Sequence, residues 1–93
     1  MKAIWNGKTI AESTETIIIE GNHYFPIEAV NRAFLHENNH ITRCAWKGIA
    51  NYYDIVVDNN KNESAAWYYP KPLKAAENIK GRIAFWKGVE IVD

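Results

Sequence analysis

Ninety-three residues, 47% hydrophobic and 13% aromatic, suffice for one packed core but not two, so residues 1–93 are expected to form a single domain. Eleven basic and eleven acidic side chains cancel, and they cancel locally too, four against five up to Trp46 and seven against six from Lys47 onward, which excludes a binder of nucleic acid or anionic membrane that works through clustered cations. One cysteine cannot close an intrachain disulfide, no apolar run approaches a membrane span, and residues 1–7 read as strand and turn rather than leader, so a cytoplasmic chain with no nucleic-acid or membrane partner is expected.

Turn signals at short intervals separate β-rich runs, the spacing of antiparallel sheets. Asn6-Gly7, between residues 2–5 and 8–11, predicts a hairpin, because both central positions of a type I′ turn need positive φ. Residues 16–20, β-branched up to Glu20, read as a strand that ends at Gly21-Asn22, after which residues 23–25 can return as a short strand. Pro26 suits the first position of a helix, Ile27, Val30 and Phe34 recur at helical spacing, and Glu28 complements the positive end. Together they predict an amphipathic helix over residues 26–35. His36-Glu37-Asn38-Asn39-His40 reads as a polar loop, followed by strands over 41–46 and 50–58 around Lys47-Gly48. Asn59-Asn60 is a second turn pair, residues 62–69 return as a strand, and Pro70 and Pro72 end it. Residues 73–80 read as a short helix with Gly81 as its terminating glycine, and 82–86 with 89–92 as a last hairpin around Lys87-Gly88. Tryptophan followed two residues later by glycine recurs at Trp5, Trp46 and Trp86, each expected to mark a hairpin bend. The fold class is therefore mostly β, compact antiparallel sheets of hairpins with two short helices.

Four constellations could carry chemistry. His36-Glu37-Asn38-Asn39-His40 matches the zinc-protease pattern His-Glu-x-x-His, which works only on a helix, where both histidines share a face. Here the apolar periodicity has ended at Leu35 and no third ligand is in view, so no metal site and no cofactor are expected. Cys44 lies next to Arg43 and close to Lys47, cations that would favour a thiolate, but strand alternation puts it with Thr42 and Trp46 on one face, as a small hydrophobe would be. Glu20-Gly21-Asn22-His23-Tyr24 gathers a carboxylate, an amide, an imidazole and a phenol around a glycine turn, the mixture of polar groups a ligand pocket uses. Tyr52-Tyr53 and Trp67-Tyr68-Tyr69 place paired aromatics on two strands expected to pair, so that one member of each pair can serve a core while the other forms an aromatic face. Phosphate-binding glycine loops of the Gly-x4-Gly-Lys and Gly-x-Gly-x2-Gly types are absent.

Five blocks, in order, carry a resemblance that spans essentially the whole chain: Glu20-Gly21-Asn22-His23-Tyr24-Phe25-Pro26, Cys44-Ala45-Trp46-Lys47-Gly48, Asn51-Tyr52-Tyr53, Ala65-Ala66-Trp67-Tyr68-Tyr69-Pro70 and Ile79-Lys80-Gly81-Arg82-Ile83-Ala84-Phe85-Trp86. They resemble a bacterial family catalogued as domain of unknown function 427, which also carries a nucleotidyltransferase label. The resemblance implies a mostly antiparallel β domain of the Mss4-like, or β-tent, architecture. Related folds hold zinc with two cysteine pairs, and the single cysteine here rules that site out. The family's cysteine block usually reads Cys-Pro-aromatic-Lys-Gly; Ala45 replaces the proline, while Cys44, Lys47 and Gly48 are present. Its chemically functional motif positions map onto Glu20, Tyr24, Cys44, Lys47, Tyr52 and Trp67. The nucleotidyltransferase label gains nothing from the residues, because phosphoryl transfer normally needs a metal-binding acid pair and Asp54 and Asp58 fall at a strand end and a turn.

The leading expectation is a small-molecule site: a cleft lined by aromatics, with Tyr24, Trp46, Tyr52 and Trp67 as walls and Glu20, His23 and Lys47 as polar groups, for a small polar or planar ligand. Three alternatives stand beside it. One is an enzyme using Cys44 as nucleophile or redox thiol, activated by His23 or Lys47. Another is the nucleotidyltransferase of the family label. The last is an interaction module whose outward aromatics dock a protein partner or a second copy, giving a homodimer.

Overall fold

A computed structural model describes residues 1–93. Nine strands form three antiparallel sheets: β1 (Lys2–Trp5), β2 (Lys8–Glu12), β3 (Ile17–Ile19), β4 (Asn22–Tyr24), β5 (Leu35–Cys44), β6 (Gly48–Val57), β7 (Asn60–Tyr68), β8 (Ile83–Phe85) and β9 (Glu90–Val92). Their orders are β2-β1-β9, β3-β4 and β5-β6-β7-β8. The mostly-β reading holds, and so does the first hairpin, with Asn6 at φ 51° and Gly7 at φ 76°. The next two turns sit one residue earlier than the sequence suggested. Glu20 and Gly21 take φ 54° and 79°, and Asp58 and Asn59 take φ 49° and 68°, so Asn22 and Asn60 open the following strands instead.

Alternation along the four-stranded sheet divides the interior into two cores. Tyr53, Ile55, Val57, Ala66 and Phe85 pack with Ala3, Ile10, Ala11 and Val30 of the first sheet's region, and Tyr53 stacks on Tyr68 with ring centroids 5.0 Å apart. Burial pushes the Tyr53 hydroxyl up to about 12, with the neighbouring Tyr68 acting in the same direction. The intervening residues Ala50 and Tyr52 join a second core with Tyr24, Tyr69, Ala76, Ile79 and Ala84. Phe25 and Ile83 exchange two backbone hydrogen bonds of 2.8 and 3.0 Å, which fasten the end of β4 to the edge strand β8. No helix is long and apolar enough to cross a membrane.

The helical segments fall near their expected places but are 3-10 turns. The helix predicted over 26–35 is split into Ile27–Ala29 and Arg32–Phe34 by Val30, which is extended at φ −104° and bridges to Ala11. Asn31 donates its N–H to the Ile10 carbonyl at 2.8 Å, and its side chain caps the second turn through the Ala33 N–H at 3.1 Å. Placing Val30 in the core by pairing with the neighbouring strand outweighs the weak helix propensity of a segment that is only about ten residues long. Lys74–Ile79 is likewise 3-10, with Ala76 off the helical conformation and Gly81 at φ 71° beyond its end.

Two further corrections concern pairing. The polar run His36–His40 is not a loop: β5 begins at Leu35 and passes through it, with the ladder to β6 interrupted between Glu37 and Ile41. Its two histidines therefore never share a helical face. The predicted last hairpin does not form, because β8 pairs with β7 and β9 pairs with β1. The Trp86-Lys87-Gly88 bend connects two sheets; completing the first sheet's edge and closing the four-stranded one outweigh local pairing of β8 with β9.

Candidate functional site

Lys47 is the unusual residue of the chain: a lysine only 7% exposed, immediately before β6. Lysine is almost never fully buried without a partner, and here two elements hold it. From the β3–β4 turn, Glu20 supplies the carboxylate that pairs with its ammonium. From the segment after β7, the Leu73 N–H donates to the Lys47 carbonyl at 2.9 Å. Gly48, next in the chain, supplies a backbone conformation that favours glycine. A side chain there would touch the Lys71–Leu73 backbone at 3.4–3.5 Å, and its φ of 112° is poorly suited to any L-residue. Glu20 itself sits at φ 54°, a conformation more typical of Asn or Gly, and its carboxylate is half-exposed.

The Lys47 ammonium lies 5.5 Å from the ring centroids of both Trp46 and Tyr69. Burial opposes its charge most strongly, yet the hydrogen bond to Glu20, with the phenolic oxygens of Tyr24 and Tyr69, more than compensates and holds its pKa above the ordinary lysine value. The Glu20 carboxyl is correspondingly depressed, first by that hydrogen bond and then by the lysine charge. Burial raises the Tyr69 hydroxyl against the opposing pull of Lys47.

Beside the lysine, the open part of the second core's face forms a cleft of about 190 Å³ lined by Lys47, Tyr52, Trp67, Tyr69 and Trp86. Tyr52 and Trp67 are direct cross-strand partners on β6 and β7. Trp67 is fixed on both sides. Its Nε1–H donates to the Tyr24 hydroxyl at 3.1 Å, its ring meets Tyr24 edge-on at 6.1 Å, and Trp86 meets it edge-on at 6.0 Å. Trp86 is held by its own Nε1–H, which donates to the Ser64 carbonyl at 2.6 Å. The Tyr52 hydroxyl shares a 2.9 Å hydrogen bond with Thr42. Apolar walls whose polar edges are already satisfied suit stacking of a planar group.

Of the residues singled out from the sequence, Lys47, Tyr52 and Trp67 line this cleft, Tyr24 buttresses it, and Glu20 and Trp46 flank the lysine. His23 is elsewhere: it pairs with Ile18, and its Nδ1 is 2.9 Å from the Thr16 hydroxyl. Adjacent strand residues point to opposite faces, so His23 and Tyr24 could not both serve one pocket. Cys44, half-buried, packs against the second core and lines a separate hollow of about 510 Å³ with Arg43, Ile49 and Lys71. Neither His23 nor Lys47 is bonded to it.

Sequence reasoning missed Tyr69 and Trp86 in the wall, and Asp54, Asn38 and Ser64 beside it. The repeated Trp-Lys-Gly frame was the available signal for Trp86, since it marks Trp46 as well. Asp54 Oδ1 accepts from Asn38 Nδ2 at 2.6 Å and from the Ser64 N–H at 2.9 Å. Burial raises the carboxyl, but these two bonds, with the charges of Lys61 and His36, leave it depressed. No three His, Cys, Asp or Glu side chains are grouped as they would be to hold a metal ion.

A family model described as a domain of unknown function (DUF427) matches residues 1–93. No curated protein matches the chain.

Proposed function

The chain belongs to the DUF427 family, and from that premise we propose that it is a binding domain for a small planar molecule, held in the aromatic cleft with an acceptor or anionic group turned toward Lys47. The observation that carries this reading is the lysine itself. A buried ammonium on a cleft wall is costly unless its charge is used, and its present partner, Glu20, has a side chain 53% exposed, so solvent and ligands reach the pair from that side. The cleft volume of about 190 Å³ suits one ring rather than a drug-sized ligand. The negative faces of Trp46 and Tyr69 are already engaged by the lysine, so an incoming cation finds repulsion where an anion finds a partner.

Titration of tryptophan fluorescence with benzoate and with benzylammonium tests this. Benzoate is expected to saturate the signal with an affinity about ten-fold or more above benzylammonium, the worth of one charge-assisted hydrogen bond. Trp67→Ala is expected to abolish the response. Preference for benzylammonium, or no saturable response to either ring, would contradict the reading.

A further inference from the structure

A second hollow of about 450 Å³ adjoins the aromatic cleft, with Trp86 in the wall of both. A further link is the contact of His40, which lines the hollow, with Tyr52, which lines the cleft; their ring centroids are 4.6 Å apart. The two spaces differ in chemistry. Where the cleft offers ring faces, the hollow offers Asp54, Glu63, Asn38, Ser64, His40 and Lys87.

Asp54 is the built element. It is only 8% exposed, and its two hydrogen bonds from the protein both end on Oδ1. Oδ2 accepts from no group of the chain, yet no side-chain polar atom is buried without a partner, so Oδ2 must reach solvent through the hollow that Asp54 lines. A carboxylate held ionised, more than nine-tenths buried, with one oxygen fixed and the other open, is a preformed acceptor. Around it stand both donors and acceptors, the Ser64 hydroxyl, the His40 ring and the Lys87 ammonium, which donates to the Glu63 carbonyl at 2.9 Å, while the Asn38 amide commits its two N–H donors to Asp54 and Ser64 and its oxygen to the His40 N–H. Mixed donors and acceptors suit groups that both give and take hydrogen bonds, as hydroxyls do, whereas an ammonium can only give.

We infer that the ligand of this protein is a ring joined to a hydroxylated group, an aryl or heteroaryl glycoside in chemical class, with its ring in the aromatic cleft and a sugar hydroxyl donating to Asp54 Oδ2. The inference rests on the cleft reading above and extends it by one subsite. Joining the two groups spares the second the entropic cost of separate association, so the glycoside gains over either half alone.

Four neutral probes separate the possibilities: anisole as the ring alone, methyl glucoside as the sugar alone, phenyl glucoside as the joined molecule, and 2-phenoxytetrahydropyran as the same joined skeleton without hydroxyls. Phenyl glucoside is expected to bind about ten-fold or more tightly than either anisole or the hydroxyl-free ether. Asp54→Asn keeps an acceptor for Asn38 and Ser64 but turns the open oxygen into a donor. It is expected to weaken phenyl glucoside several-fold, because a neutral N–H replaces the charged acceptor, while leaving anisole unchanged. If that variant does not fold, the comparison of phenyl glucoside with its hydroxyl-free ether in the unmodified protein decides alone. Equal binding of those two, with anisole still bound, overturns the glycoside inference and leaves the aromatic cleft standing. Failure of the neutral ring compounds with benzoate still bound overturns the glycoside inference alone, and failure of benzoate as well overturns both.

Discussion

At the scale of single residues, Lys47 and Glu20 form a pair whose members differ in what they can give up. The ammonium is buried beside Trp46 and Tyr69, while the carboxylate stands half in solvent on a turn. An anionic ligand and Glu20 therefore compete for one cation. Glu20→Gln should strengthen benzoate binding several-fold, because the competing charge is gone, whereas Lys47→Met should weaken it about ten-fold while keeping the apolar stem. Paired titrations of the two variants check this, and a loss of affinity in both would mean that Glu20 positions the lysine instead of competing for it. The pair was half legible in the sequence. Glu20 and Lys47 each stood in a distinctive block, but nothing local says that the β3–β4 turn lies over the start of β6, which depends on the docking of Phe25 to Ile83. His23 was assigned to the pocket from its neighbours in sequence, although strand alternation already separated it from Tyr24.

At the scale of elements, the site depends on the crossing of the Pro70–Leu73 segment over Gly48. The Leu73 N–H to Lys47 carbonyl bond fixes the lysine backbone, and Gly48 supplies the φ of 112° that the chain takes beneath the crossing. Gly48→Ala should destabilise the fold by about 1 kcal/mol or more, mainly through its φ of 112°, since the added carbon would make ordinary contacts. It should also lower benzoate affinity, because relief of that φ would move the adjoining Lys47. Gly88→Ala, at φ 85° with nothing within 4 Å, should share the destabilisation and leave binding unaltered. Urea midpoints together with benzoate titrations of the two variants separate these effects. Hairpins closed by a two-residue turn were readable because Asn-Gly chemistry is local, as at Asn6-Gly7. The partner of β8 was not, because the bend at Lys87-Gly88 has the same local chemistry whether it folds a strand back or passes it to another sheet. Missing that pairing is what hid Trp86 from the cleft.

At the scale of the whole molecule, the titrating groups bracket a range of constant stability. On the acid side the Asp54 and Glu20 carboxyls are depressed, so the stability they contribute is present above the unfolded carboxylate range, about pH 4, and is lost as pH falls through their lower folded values. On the alkaline side Tyr53 is pushed up to about 12, and Lys47 and Tyr69 are also raised. Their contribution is complete below the unfolded values, about pH 10, and is lost as pH rises through the folded ones. The urea midpoint should accordingly be level from about pH 5 to 9 and fall on both sides. Asp54→Asn should blunt the acid limb and leave the alkaline one. A midpoint that climbed steadily through neutrality would place the controlling group outside this set.

The central claim is that a planar ring binds in the cleft that Trp67 and Trp86 both line, and the four tryptophans report on it separately. Trp67 and Trp86 each donate an indole N–H to a different acceptor, the Tyr24 hydroxyl and the Ser64 carbonyl, whereas Trp5 packs against the main core away from the cleft. A titration of the labelled protein with benzoate, followed by the indole N–H resonances, reads all of them at once. The account predicts that the Trp67 and Trp86 resonances move together along one saturable curve while Trp5 stays fixed; benzoate that shifts Trp5 alone, or leaves Trp67 and Trp86 unmoved at saturating concentration, would contradict it.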